Sequence, residues 1–349
     1  MSTLRILGLL CLLAAGCARQ PGPVFQDQVL AFGTVIDITI DGVEPALAEQ
    51  AGAELEQLLL GWHRDWHAWE PGPLTRVNAA LADGQTIQAD SALLPLIVEA
   101  NRLSTLSSGL FNPVIGRLLA LWGFQGTPLP EGTLPDPAAI EAWLARAPGV
   151  DDITLEGDRL ASRNPLAAYD LGGFAKGYAI DRCIEHLRRL GIENAIVNTG
   201  GDLRAIGTRS DRRWRIGIRH PREDTIIASI DTDGDDSVFT SGDYERLFSV
   251  EDVRYHHILD PRTGYPANGS SAVTVVHDNA AIADAAATAL FVAGPDEWQA
   301  IAERMGIERV MLVDRDGMIH LTPAMREVIT LAKDVIARVR ISDPYQARP

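Results

Sequence analysis

Two short stretches combine acids, a lysine and glycines in an order that suits a phosphate ligand. Residues 169 to 182, YDLGGFAKGYAIDR, place Asp170 before two glycines and Lys176 before a third. Glycine lets a backbone approach a ligand closely, and a helix N-terminus favours anions. In DAAATALFVAG, Asp284 and Thr288 are four apart and share a helix face, where they could offer two hard oxygens to Mg²⁺. Asp near a helix start is also an ordinary cap, so this motif alone favours the structural interpretation.

A histidine pair ends a predicted strand in YHHILDPRTGYP, residues 255 to 266. Successive side chains on a strand point to opposite faces, so at most one of His256 and His257 is expected to face a given site. A histidine there could take a proton from a hydroxyl nucleophile. The segments NTGGDLRAIG and TSGDYER add glycine turns beside acids and arginines, and either could be a hairpin connection and nothing more.

Two other motifs are weaker than they look. His63 and His67 are four apart on a predicted helix, as in a zinc protease, but Arg64 stands where that site needs a glutamate. A packed or surface histidine pair is the preferred interpretation. The glycines at 172 to 177 form neither a Walker A loop nor GxGxxG, so a P-loop or Rossmann assignment has no support.

The first residues predict export. MSTLRILGLLCLLAAGC has a basic start, an apolar stretch too short to span a bilayer, and small residues before a cysteine. This is typical of a lipoprotein signal over residues 1 to 16, with Cys17 as the lipidated first mature residue. An ordinary secretory signal with an incidental cysteine is the alternative. With Cys11 removed and Cys17 lipidated, Cys183 would have no disulfide partner.

Composition indicates a folded protein and excludes some partners. The chain has 349 residues, enough for one large domain or two ordinary ones. Its formal net charge of −16 argues against a nucleic-acid-binding surface. A site for a polyanion must therefore overcome long-range repulsion with local donors or a metal ion.

Apolar periodicity outlines the elements. Short alternating segments after residue 152 predict strands with largely antiparallel pairing, and Val29 to Ile40 reads as one further strand. The C-terminal stretch predicts a hairpin turning at Asp316-Gly317, then an amphipathic helix using Val328 to Ile336. The predicted helices are 44 to 67, Ser91 to Ser104, Val114 to Leu121, Pro137 to Ala147, Lys176 to Leu190, Ile282 to Val292 and Asp296 to Met305.

These elements predict an α+β protein with antiparallel sheets flanked by helices. No internal repeat and no transmembrane helix after the signal are evident. The expected organisation is a signal at 1 to 16, a tether at 17 to 27, one domain at 28 to 322 and a C-terminal extension at 323 to 349.

Taken together and in order, the motifs resemble one family. They are AFGTVIDITI, LSSGLFNPVIGRLLALWGF, YDLGGFAKGYAID, NTGGDLRAIG, TSGDYER, YHHILDPRTGYP and DAAATALFVAG. This set is similar to the ApbE family of flavin transferases, also called FAD:protein FMN transferases, over about residues 28 to 322. The resemblance implies an FAD and Mg²⁺ site in a central cleft, in which the anion is the pyrophosphate of FAD.

The resemblance also implies roles for individual residues. The metal would be held by the backbone carbonyl of Gly173 and the side chains of Asp284 and Thr288. His257 would be the general base, whereas His256 occupies a variable place in the motif. The implied FAD contacts are Phe32, Trp69, Leu110, Phe111, Asn112, Asp170, Lys176, His257 and Ile258.

This chain departs from the family pattern in one loop and one segment. Asn112 stands where the family usually has Asp, and Val114 where it often has Thr. WEPGPLTRVN is one residue shorter than the usual segment, in which an aromatic residue lies against the flavin, and Trp69 is assigned that role.

The implied reaction is attack by an acceptor threonine hydroxyl on the FMN-side phosphorus of FAD, which releases AMP. The alternatives are an FAD pyrophosphatase that yields FMN and AMP, and a lipoprotein that binds flavin without turnover. The implied acceptors are membrane flavoprotein subunits such as those of the Na⁺-pumping NADH:quinone reductase or Rnf-type complexes. The expected location is the periplasmic or extracytoplasmic face of a bacterial membrane, with the inner membrane preferred.

Overall fold

The computed structural model describes residues 24–126, 129 and 133–345. Its helices are α1 (Pro45–Asp65), α2 (Pro73–Ala82), α3 (Leu94–Leu106), α4 (Gly116–Leu121), α5 (Pro137–Leu144), α6 (Ala175–Arg189), α7 (Ala280–Met305) and α8 (Pro323–Val328). Its strands are β1 (Phe25–Ala31), β2 (Thr34–Ile40), β3 (Ile87–Gln88), β4 (Ile153–Glu156), β5 (Arg159–Ser162), β6 (Ala195–Thr199), β7 (Asp202–Ile206), β8 (Arg215–Arg219), β9 (Ile226–Asp231), β10 (Asp235–Gly242), β11 (Leu247–Val250), β12 (Val253–His256), β13 (Ser270–His277), β14 (Arg309–Asp314), β15 (Ile319–Leu321), β16 (Ile329–Leu331) and β17 (Val339–Ile341).

A large sheet organises the fold. Within the described residues, nine strands pair in the order β1-β2-β6-β7-β10-β13-β14-β15-β17, and each neighbouring pair is antiparallel except β15 with β17. Helices α1, α6 and α7 pack against it. The predicted α+β class with antiparallel sheets and flanking helices is confirmed.

The central strands are buried on both faces because the sheet has a layer on each side. Along β13, Val273 and Val275 belong to the core shared with the helices. Ala272 and Val276 belong to a second core, built with the small sheet of β8, β9 and β16. Strict alternation of side chains on a strand produces this division. Hydrophobic burial therefore holds β10 and β13 rigidly in the middle of three layers.

Helix α7 crosses the centre of the molecule. The two predicted helices, Ile282 to Val292 and Asp296 to Met305, correspond to the two halves of α7, because Gly294, with a φ of 68°, breaks the helical path before Pro295. Proline lacks the amide that would continue the hydrogen-bond ladder. The first half is buried on nearly all sides, and its alanines leave room for close neighbours.

The predicted strand from Val29 to Ile40 is wrong in one respect. It is the hairpin of β1 and β2, which turns at Phe32 (φ 52°) and Gly33 (φ 73°). Positive φ at both central residues matches the two-residue turn that suits the twist of a hairpin. Phenylalanine rarely adopts this conformation, so alternation alone did not reveal the turn.

Two further elements differ from prediction. Helix α2 was not predicted, although Pro73 begins it in a favourable position and the Thr75 hydroxyl accepts from the Gly72 amide at 2.8 Å. The predicted amphipathic helix from Val328 to Ile336 is wrong. Helix α8 ends at Val328, and the next residues form β16, which pairs with β9. An available sheet edge outweighed helical periodicity there.

The N-terminal predictions lie mostly outside the described residues. These include the signal at residues 1 to 16 and Cys17. Strand β1 starts at Phe25, inside the segment predicted as a tether. Of the helices that the structure describes, none combines the length and apolarity needed to cross a membrane.

Candidate functional site

The site is built where α6 and α7 cross. Gly177 donates its amide to Asp284 Oδ2 at 2.9 Å. A Cβ atom on Gly177 would lie 2.3 Å from the carbonyl oxygen of Ala280, which is too close for any other residue without movement. Asp181, one turn along α6, contacts the start of α7. The two helices therefore meet in a close crossing that glycine makes possible.

Buried charge fixes the beginning of α7. The Asp181 carboxylate accepts from the amides of Ala280 at 2.9 Å and Ala281 at 3.0 Å. It also pairs with Arg204, whose guanidinium forms two further hydrogen bonds with Asp235. A carboxylate at a helix N-terminus satisfies orphan donors and interacts favourably with the helix dipole. This network sets the position of every side chain on the first turns of α7.

The three residues implied as metal ligands lie at this crossing. Thr288 is one turn beyond Asp284 on α7, and a Cβ atom on Gly173 would lie 3.0 Å from the Thr288 hydroxyl. Ser241 Oγ is 3.4 Å from the same hydroxyl. In the described part of the chain, Asp284 accepts a hydrogen bond only through Oδ2, so Oδ1 is available to a ligand.

These donors fit Mg²⁺, which favours a carboxylate or two together with water and substrate phosphate. Across the residues that the structure describes, no cluster of three or more His, Cys, Asp or Glu side chains is suited to a metal. The side chains available at the α6–α7 crossing are instead one carboxylate, Asp284, and one hydroxyl, Thr288, next to the backbone of Gly173.

Lys176 provides a positive charge at the α6–α7 crossing. Its ammonium pairs with Asp202, whose other oxygen accepts from the Thr240 amide at 2.9 Å. Burial alone would lower the pKa of Lys176, but the carboxylates of Asp202 and Asp284 outweigh burial and raise it. Burial raises the pKa of Asp284 to about 7, against the opposing effect of Lys176. A cationic side chain is thus held beside the carboxylate that would bind metal.

Asp170 is a buried acid with one oxygen left over. Its Oδ1 accepts from the Gly172 amide at 3.1 Å, and no described residue makes a close hydrogen bond to Oδ2. Gln125 lies near enough to this carboxyl group to oppose the effect of burial on its pKa. Burial raises the pKa of Asp170. Its neighbour Tyr169 is held at both backbone groups by Asn78, which accepts at 2.7 Å and donates at 2.8 Å. An unpartnered buried carboxyl oxygen is suited to a polar ligand group.

The adjacent histidines have different partners. His257 Nδ1 lies 3.3 Å from the carbonyl oxygen of Arg246, which can only accept, so Nδ1 carries the proton and Nε2 keeps a lone pair. Burial, with added effects of His256 and Arg246, lowers the pKa of His257 to about 3. His256 contacts the Ala267 carbonyl at 2.8 Å and packs against Phe291. Only His257 is left with a free basic nitrogen.

The loop after α3 supplies apolar packing and a fixed amide. Leu110 and Phe111 are buried, and the Phe111 ring would be 3.7 Å from a Cβ atom on Gly173. Asn112 donates to the Pro148 carbonyl at 2.9 Å and accepts from the Val114 amide at 3.1 Å. Both polar ends of its side chain are therefore engaged with backbone.

The remaining implied FAD contacts lie in different surroundings. Ile258 is buried next to the histidine pair, and its amide donates to His256 Nδ1 at 3.3 Å. Phe32 is half-buried in the β1–β2 turn, and Trp69 is 41% exposed beyond the end of α1. The structure thus brings Gly173, Lys176, Asp284 and Thr288 together, whereas no contact joins Phe32 or Trp69 to these four among the described residues.

Sequence reasoning missed three residues that organise this site. Asp181, Asp202 and Asn78 were given no role, although each lies inside a recognisable motif: YAID, NTGGD and LTRVN. The signal that could have found them is a short polar side chain within a glycine-rich or helix-start motif. Their partners are distant in sequence, so the contacts themselves were not predictable.

Comparisons with known proteins agree on one family. The sequence model of the ApbE family matches residues 32–311. A FAD:protein FMN transferase of Rhodobacter capsulatus is 40% identical over 90% of this chain, which spans 61% of that relative's length. A FAD:protein FMN transferase of Vibrio cholerae is 37% identical over 87% of this chain and 92% of its own length.

Solved structures show the same fold. The ApbE protein of Thermotoga maritima superposes with a TM-score of 0.80 and 32% identity, over 88% of this chain and 99% of that one. The flavin transferase ApbE of Vibrio cholerae superposes with a TM-score of 0.75 and 29% identity, over 88% of this chain and 100% of its own. Both likenesses extend over nearly the full length of the solved chains.

Replacing Asp181 tests the anchor of α7. Asp181→Ala removes two amide contacts and leaves Arg204 with one fewer buried partner, so we expect the free energy of unfolding to fall by about 3 kcal/mol. Asp136→Ala, which removes an exposed cap from α5, should cost only about 1 kcal/mol. Urea denaturation measures both values. Equal losses in the two variants would contradict the proposed anchor.

Proposed function

The chain belongs to the ApbE family, and from this premise we propose that it is an enzyme that transfers the FMN moiety of FAD to a threonine hydroxyl of an acceptor protein. The observation that carries the proposal is the α6–α7 crossing, where Gly173, Lys176, Asp284 and Thr288 converge. Sequence identity of 40% to a FAD:protein FMN transferase supports the same conclusion.

Each group at the crossing has a task in such a transfer. Asp284 Oδ1, the Thr288 hydroxyl and the Gly173 carbonyl would hold Mg²⁺. When bound, the ion would neutralise charge on the pyrophosphate, as metal ions do in other phosphoryl transfers. Lys176 adds a second positive charge where AMP departs. The bend at Gly172 and Gly173 gives the phosphates access to the backbone.

His257 accepts the proton that the nucleophile loses. The threonine oxygen forms a bond to the FMN-side phosphorus, the bond to the AMP oxygen breaks, and AMP leaves with that electron pair. The free lone pair on Nε2 of His257 takes the hydroxyl proton. Because burial lowers the pKa of His257 to about 3, the ring is neutral at neutral pH but is a weak base. Charge neutralisation should therefore contribute more than proton transfer.

The N-terminal sequence supports a place at a membrane. A lipid on Cys17 would leave a short segment before strand β1, which begins at Phe25. Such a tether would raise the effective concentration of the enzyme near membrane-bound flavoprotein acceptors. Subunits of Na⁺-pumping NADH:quinone reductases or Rnf-type complexes are the proposed acceptors, at the periplasmic or extracytoplasmic face of the inner membrane.

Mass measurement on an acceptor tests the reaction. We expect the protein, given FAD, Mg²⁺ and a threonine-containing acceptor segment, to add one FMN moiety to that segment and to release one AMP. The same segment with valine for threonine should gain no mass. Release of FMN and AMP without any mass gain would indicate a pyrophosphatase instead. Intact FAD after prolonged incubation would indicate a flavin-binding protein without turnover.

Substitutions of Asp284 and His257 compare the contribution of metal binding with that of proton transfer. Asp284→Ala removes the carboxylate of the proposed metal set, so AMP release should fall to background. His257→Ala removes only the base and should reduce the rate by about 10²- to 10⁴-fold, leaving measurable turnover. Chelation of divalent cations should match the effect of Asp284→Ala. Wild-type rates for Asp284→Ala in Mg²⁺ would refute the metal assignment.

A further inference from the structure

The two histidines at the end of α1 have no part in the proposed chemistry, yet both are engaged. His63 lies in the last turn of α1, and His67 follows two residues after its end. Their rings meet edge to face with centroids 5.4 Å apart. The sequence indicates a packed or surface pair, and the structure shows what they pack against.

Each histidine accepts a hydrogen bond from a different loop. His63 Nδ1 accepts from the Phe32 amide at 3.2 Å, in the turn between β1 and β2. His67 Nδ1 accepts from the Glu70 amide at 3.0 Å and from the Trp69 amide at 3.4 Å. Because Nδ1 is the acceptor in both rings, the proton of each neutral ring is on Nε2. Burial lowers the pKa of His67, which keeps that ring neutral.

The two loops whose amides donate to His63 and His67 carry the aromatic residues Phe32 and Trp69. The Phe32 ring is 5.7 Å from His63, and the Trp69 ring is 4.8 Å from His67, both edge to face. Phe32, His63, His67 and Trp69 thus form a continuous row of four rings, which we term the ring row. Trp66 lies next to it and contacts Phe32 with centroids 5.9 Å apart.

The ring row and its neighbour Trp66 each lie near residues of the glycine motif. Trp66 contacts Tyr178 of α6, which follows Lys176 in the glycine motif, with centroids 5.8 Å apart. His67 lies close enough to Asp170 for each to influence the charge of the other. The row therefore lies near Asp170 and, through Trp66, near the start of α6.

Neither Phe32 nor Trp69 lies within a helix or strand that would orient its side chain. Phe32 has a φ of 52°, a left-handed conformation that is unfavourable for an L-residue with a side chain. Trp69 is 41% exposed and lies beyond the end of α1. In each case a histidine supplies both a backbone acceptor and a ring contact, which are the two restraints needed to orient an aromatic side chain.

We propose that His63 and His67 are positioning residues that hold Phe32 and Trp69 as an aromatic wall for the isoalloxazine ring of FAD. This inference rests on the proposed function. Flat rings held in place stack on a flavin without losing side-chain freedom on binding. The histidines themselves touch the loops that carry the wall, and no step of the reaction passes through them.

Asparagine and leucine variants of His63 and His67 distinguish the effect of the hydrogen-bond acceptor Nδ1 from the effect of side-chain volume. Asn Oδ1 occupies the position of histidine Nδ1, whereas leucine fills similar space without an acceptor. A titration with FAD and Mg²⁺, without acceptor protein, is followed by the induced circular dichroism of the flavin bands. We expect His67→Leu and His63→Leu to raise the dissociation constant of FAD about threefold to tenfold and to weaken the induced signal. The asparagine variants should stay within about twofold of wild type.

Steady-state kinetics and a control variant at another histidine test whether the leucine variants act only by destabilising the protein. The leucine variants should raise KM for FAD while kcat at saturating FAD is unchanged, because the reacting groups at α7 are intact. His186→Leu removes a histidine that contacts Glu54 at 2.6 Å between α6 and α1, outside the ring row. That control should bind FAD as the wild type does.

A double-mutant cycle tests whether His67 acts through Trp69. Trp69→Ala, at an exposed position, should weaken FAD binding as much as His67→Leu, and the double variant should be no weaker than either. Additive losses, equal losses in asparagine and leucine variants, or wild-type affinity in the leucine variants would each overturn the inference. A wild-type protein without any induced flavin signal would overturn the proposed function as well, which distinguishes the two failures.

Discussion

The close contact of α6 and α7 at Gly177 is the constraint on which the site depends. A carboxylate on one helix can reach an amide of the other only because Gly177 has no side chain. The alanines of α7 reduce its width in the same way, so α7 can pack closely against both α6 and the central strands. These small residues let the backbones of neighbouring elements pack closely, and this close packing stabilises the fold.

Charge at this crossing is balanced locally, in a chain whose overall charge is −16. Asp181 is neutralised by Arg204 and by the amides at the start of α7. Lys176 is shared between Asp202 and Asp284. Removing charged groups from water is costly unless each has a partner, so these pairs confine the acids and the lysine to a narrow set of positions. Under the proposed function, the polyanionic FAD would meet positive charge at short range although the net negative charge of the chain would repel it at long range.

The aromatic residues Phe32 and Trp69 are positioned in a different way from the charged residues. The positions of Lys176, Asp284 and Thr288 depend on helices held by the core, whereas Phe32 and Trp69 lie on connections outside regular structure. Loops have few buried contacts of their own, so their orientation depends on the few hydrogen bonds that neighbouring elements provide. The end of α1 provides these bonds through His63 and His67, and Asn78 of α2 does the same for the backbone of Tyr169.

The sequence by itself determined the family, the α+β class, the main helices and the residue types at the crossing, because motif order and apolar period are local properties. It did not reveal the turn at Phe32 or strand β16, since a contact with His63 and an unpaired sheet edge decide those. Helix α2 was missed although its Gly-Pro start is a local signal in the sequence. The partners of Asp181, Asp202 and Asn78 were also hidden, because each contact joins segments distant along the chain. Tertiary structure alone decided how the acids, the lysine and the rings are oriented, since orientation is set by packing between elements and not by the order of residues.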